Sequence, residues 1–102
     1  MIDFSQTGGS WVASHKELTI ELSSKCVTLT NAKHNTEAVI RFPQRIEDVN
    51  DLSFFHSEST ERCAIILPEE LGQLELVDIG MSLVLRQFNT SGAQIQTVTA
   101  HI

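Results

Sequence analysis

His56 stands close in sequence to Glu58 and Glu61, with Cys63 just beyond. An imidazole, two carboxylates and a thiol are the parts from which a small hydrolase is assembled: base, orienting group and nucleophile. Cys63 opens the apolar run Cys-Ala-Ile-Ile-Leu, and burial raises a thiol pKa instead of lowering it. No nucleophile is therefore expected there. His15, His34, His56 and His101 include no i,i+4 pair and no neighbouring Cys-x-x-Cys, so metal-ligand spacing is absent. The chain has no Gly-x-Ser-x-Gly elbow, no Walker loop and no Gly-x-Gly-x-x-Gly. The expectation is no catalytic residue, no metal and no cofactor.

The carboxylates Glu58, Glu61, Glu69, Glu70, Glu75 and Asp78 fall in one third of the chain. They form either a solvated rim around the Pro68 loop or an acidic patch for a basic protein surface. Phe54 and Phe55 are adjacent, and in a strand they face opposite sides. One of the two must then find cover beyond a single core face, from a third layer, a partner chain or a ligand. The binding candidates are accordingly Phe54, Phe55, Glu58, Glu61, Glu69 and Glu70.

Thirteen acidic against seven basic residues give a net charge of -6. That balance argues against nucleic acid, which needs a basic footprint, and against an anionic membrane surface. No apolar run reaches the ~18 residues of a spanning helix. Asp3 stands where a secretion signal carries positive charge. The expectation is a cytoplasmic protein with Cys26 and Cys63 as free thiols. Asn89-Thr90-Ser91 then reads as turn composition, not as a glycosylation site.

The elements that must hold these residues are mostly strands. Residues 18–22 alternate cleanly, and 26–30 return across a Ser-Ser-Lys connection. Residues 38–42 form a third strand, ended by Pro43. Ile46, Val49 and Leu52 recur three apart, which predicts a short helix over 44–52. Residues 63–67 lack alternation, which predicts a central strand buried on both faces. Residues 68–71 could open one helical turn with proline first, and a helix over 69–79 competes with a turn followed by a strand. Residues 82–88 and 94–102 form the last hairpin, with the polar 94–102 at an edge. At 102 residues this is one domain, with 1–10 expected to be a flexible leader.

The fold class expected is mainly β: a small antiparallel barrel or two-layer sandwich of six or seven short strands with one short helix. An α+β roll is the alternative. The function expected is a small acidic non-catalytic protein-interaction module. It would act as a homodimer, or as an adaptor or inhibitor on a basic protein surface, with another protein or itself as partner. A β-barrel binding a small ligand and a small enzyme using His56 are the alternatives.

Overall fold

The computed structural model describes residues 2–57, with the backbone alone at residue 57, and residues 62–102. Ten strands follow one another: β1 (Ser5–Thr7), β2 (Ser10–His15), β3 (Leu18–Leu22), β4 (Cys26–Asn31), β5 (Thr36–Arg41), β6 (Ser53–Ser57), β7 (Arg62–Ile66), β8 (Gln73–Asp78), β9 (Ser82–Phe88) and β10 (Gln94–His101). The first five make one antiparallel sheet in chain order, and the last five make a second, also in chain order. Each sheet is thus a meander of hairpins. The two sheets do not close into a single barrel.

Inward side chains alternate with outward ones, as the pleat requires. Ile20, Leu22, Val27, Leu29 and Ile40 of the first sheet share one core with Ile65, Leu74, Leu76, Leu83 and Leu85 of the second. Ile2, Phe42, Ile46, Leu67 and Leu71 add to it from the connections. The predicted leader is therefore engaged: Ile2 is buried, and Ser5–Thr7 pairs with β2 across the Gly8-Gly9 turn. Gly8 takes a φ of 61° there, a conformation glycine adopts without strain.

Three expectations are corrected. Among the described residues the strand count is ten, not six or seven, chiefly because the short β1 and the polar-rich β2 carry weak alternation. There is no helix over 44–52, nor elsewhere among the described residues. The Phe42 amide donates to the Lys25 carbonyl and the Ile46 amide to the Ser24 carbonyl. The stretch is thus tied in extended form to the β3–β4 turn at its start, and buried Ile46 anchors it to the core. Finally, β7 is interior, between β6 and β8, but is not buried on both faces. Its missing alternation arises because outward Ile66 is apolar yet 40% exposed.

The segment 69–79 resolves as a turn followed by β8. Leu71 donates to the Pro68 carbonyl, while Glu69 and Glu70 sit at φ 57° and 62°. Positive φ at both central residues is the type I′ geometry whose twist suits a hairpin. The single helical turn expected at 68–71 is replaced by this left-handed one.

Candidate functional site

His56 lies opposite Cys63 in the β6–β7 register, and its Nε2 stands 3.9 Å from Asp3 Oδ1. Cys63 is 1% exposed. Burial, with the Asp3 charge adding to it, pushes its thiol up to about 11. Its sulfur makes a weak contact to the Ala64 carbonyl at 4.0 Å. A thiol held protonated beside a carboxylate is the reverse of an activated nucleophile. Cys26 and Cys63 are both free. Glu58 and Glu61, the carboxylates expected next to His56, lie outside the described residues. Among the described residues no group of three His, Cys, Asp or Glu side chains is arranged to hold a metal.

A second polar group lies where the sheets meet at one end of the core. His15 Nε2 and Lys16 Nζ each stand 2.8 Å from Asp78 Oδ2. Asp78 Oδ1 accepts from the Gly80 amide at 2.7 Å. Lys16 beside it, then the His15 and Gly80 hydrogen bonds, hold the Asp78 carboxyl well below the usual carboxylate range, against the opposing pull of burial. This group ties the β2–β3 turn to the β8–β9 turn.

Phe54 and Phe55 do face opposite sides. Phe54 turns inward, its ring centroid 5.0 Å from Phe4 and 5.0 Å from Trp11. The Trp11 indole N–H donates to the Val49 carbonyl at 2.6 Å, which fixes this aromatic lid. Phe55 points outward and is 58% exposed.

The outward face of the second sheet carries a groove of about 640 Å³. Ile66, Leu67, Gln73 and Phe88 line it, with Glu70 and the Asn89–Gly92 turn at its rim. Ile66, Gln73 and Phe88 are successive partners across β7, β8 and β9. The groove floor is thus one outward row of the pleat. Phe55 pairs with Ala64 and so lies diagonal to Ile66 on the same face. Asn89 holds the far rim: its Oδ1 accepts from the Ser91 amide, the Ser91 hydroxyl and the Ala93 amide.

Of the expected carboxylates, Glu70 lines the groove. Glu69 turns away: its carboxylate accepts from the Glu47 amide at 3.1 Å, and its carbonyl from Gln44 Nε2 at 3.2 Å. Glu75 is engaged by Arg62 and Arg86, and Asp78 belongs to the His15 cluster. The sequence cluster is therefore dispersed, since β7 and β8 carry the chain from one end of the sheet to the other and back. Ile66 and the Asn89 turn were not among the expected site residues. Their signal is an apolar residue at an outward strand position beside a turn, visible only once the register is known.

No helix among the described residues is long and apolar enough to cross a membrane. No protein-family model matches the chain, and neither the curated proteins nor the solved structures yield a match.

Proposed function

We propose that the chain is a small non-catalytic interaction module that docks, as an adaptor or inhibitor, on a basic protein segment. The observation that carries this reading is the groove of about 640 Å³ with Ile66 and Phe88 on its floor and Glu70 at its rim. An apolar floor supplies contact area, and a rim carboxylate selects for lysine or arginine beside the docked side chain. The net charge of -6 steers such a partner toward the protein and makes its arrival salt-sensitive. The protonated Cys63 and the dispersed carboxylates support a non-catalytic role. Cytoplasmic residence belongs to the same proposal, supported by two free thiols.

The test uses a short peptide in which lysines flank a leucine, with a glutamate counterpart as control. Titration followed by NMR should shift the amides of Ile66, Gln73, Phe88 and Asn89 with the lysine peptide alone. Glu70→Lys should weaken binding about fivefold, the effect of about 1 kcal/mol, and high salt should weaken it further. Shifts confined to another face, or equal binding of both peptides, would overturn the reading. A small apolar ligand in the same groove is the runner-up, since the volume lies within the range of such pockets.

A further inference from the structure

We propose that β6 pairs edge to edge with β6 of a second copy of this chain, about a two-fold axis at Phe55. This goes beyond the docking proposal and uses a different part of the molecule. Two five-stranded sheets have four edge strands: β1, β5, β6 and β10. A strand edge displays unpaired backbone donors and acceptors, and folds blunt such edges with short strands, charges, bulges or cover. Three of the four edges show such devices. β1 has three residues, all polar and exposed. β10 carries an irregularity between Gln94 and Gln96. β5 contains Glu37 and Arg41, and Gln96 of β10 donates to the Arg41 carbonyl at 3.0 Å, so these two edges lie against each other.

β6 carries neither a bulge nor an acidic or strongly basic side chain. Its register with β7 is unbroken over Ser53–Ser57. No backbone hydrogen bond from the described residues reaches its other side. The segment Ile2–Phe4 meets β6 through side chains, in the Phe4–Phe54 ring contact and the Asp3–His56 approach. The outward side chain at its centre, Phe55, is 58% exposed.

The strand is also complementary to itself. It reads Ser-Phe-Phe-His-Ser, close to a palindrome about Phe55. Antiparallel pairing on that centre sets Phe55 against Phe55, Phe54 against His56, and Ser53 against position 57 of the second copy. Aromatic pairs across strands are favourable. In a chain of net charge -6, β6 contains no Asp, Glu, Lys or Arg. The pairing therefore sets no like charges opposite each other at the contact. A two-fold operation makes the contact isologous and closed, so it ends at a dimer and not a fibre. Five residues of edge are few for a permanent interface, so the association is concentration-dependent. Each copy repels the other at long range through its net charge. Added salt therefore tightens this dimer, the opposite of its effect on docking a basic partner.

Sedimentation of the full chain over a wide concentration range, at low and high salt, tests the proposal. The expected result is passage from a species of 11.3 kDa to one of twice that mass, with salt favouring the larger. Phe55→Lys should raise the dissociation constant about 100-fold, as loss of an aromatic anchor from both sides of an interface does. Register is read by cross-linking in a Cys26→Ser background. Ser53→Cys mixed with Ser57→Cys should oxidise to a mixed dimer, since paired Cα atoms stand about 4.5–5.5 Å apart. Neither variant alone should do so. A monomer at every concentration would overturn the proposal. So would a dimer untouched by Phe55→Lys, or a mixed pair that cross-links no better than each variant alone.

Discussion

Asp78 shows how one side chain can hold two turns together. Its side chain is 3% exposed while Lys16 beside it is 46% exposed. Screening therefore weakens the lysine contact, and the buried His15 hydrogen bond carries much of what a neutral amide would lose, since an amide oxygen still accepts from Gly80. Asp78→Asn is expected to cost about 2 kcal/mol at neutral pH. The folded carboxyl titrates well below the ordinary value of 3.8. Its contribution is thus fully present above that value and drains away as pH falls toward the folded pKa. Urea unfolding of both proteins at pH 7 and below pH 3 should show the gap between them narrowing in acid. Cys63 has the opposite sign. Its pKa rises from 9.0 to about 11, so folding favours the protonated thiol, and this contribution is lost as pH climbs through that window. An aromatic disulfide reagent at pH 8 should modify the half-buried Cys26 readily, and Cys63 only after denaturant is added. Two thiols reacting at equal rates in the native protein would contradict the burial of Cys63.

The Pro68–Leu71 turn is where an element departs furthest from its local chemistry. Type I′ turns favour asparagine and glycine at their centre, yet Glu69 and Glu70 occupy it at positive φ. Each costs about 1–2 kcal/mol against a right-handed conformation. Glu69 offsets this by accepting from the Glu47 amide; Glu70 makes no hydrogen bond or ion pair with the described residues. Glu70→Gly is therefore expected to stabilise the fold by about 0.5–1 kcal/mol, after the entropy glycine adds to the unfolded chain. Glu69→Gly should gain less. Gly72→Ala should be severe, since a Cβ there would stand 1.9 Å from the Phe88 carbonyl oxygen at a φ of 88°. Thermal melts of the three variants separate these outcomes. This turn also shows what was legible in advance. The proline and glycine mark a break between strands, and the break is there. Its handedness was not legible, because no residue in Pro-Glu-Glu-Leu prefers φ > 0. The strands at 18–22 and 26–30 were legible from period 2, and 82–88 from the hairpin turn that follows it. The helix over 44–52 was a false period: three apolar residues spaced by three also suit an irregular strap whose amides bond to a neighbouring turn.

At the scale of the whole molecule, residue pairing is local and the core is not. Every ladder joins strands adjacent in sequence, and that much followed from hairpin reading. The stacking of the two meanders did not, because alternation fixes which side chains point inward but not what they meet. Inward Asn31 bridges the sheets, donating to the His101 carbonyl at 3.1 Å. Gln87 is fully buried, donating to the Leu71 carbonyl and accepting from Gln96. No apolar pattern announces these polar ties. Local pairing raises the question of whether each sheet folds alone. Ile20, Leu22, Val27, Leu29 and Ile40 are all 0% exposed, and the second sheet covers their shared face. Full burial of such a side chain contributes about 1.5–3 kcal/mol. Losing even half of that at each of the five positions would remove about 4–8 kcal/mol, comparable with the about 5–15 kcal/mol by which a domain is stable. Residues 1–52 alone are therefore expected to lack the β signal in circular dichroism. In the full chain, Trp11 fluorescence reports on the contact with Phe54 between the sheets, and circular dichroism reports on both ladders together. The two probes should give superimposable urea transitions. Separate midpoints, or a folded fragment 1–52, would mean that each meander stands without the other and that the shared core adds less than its burial implies.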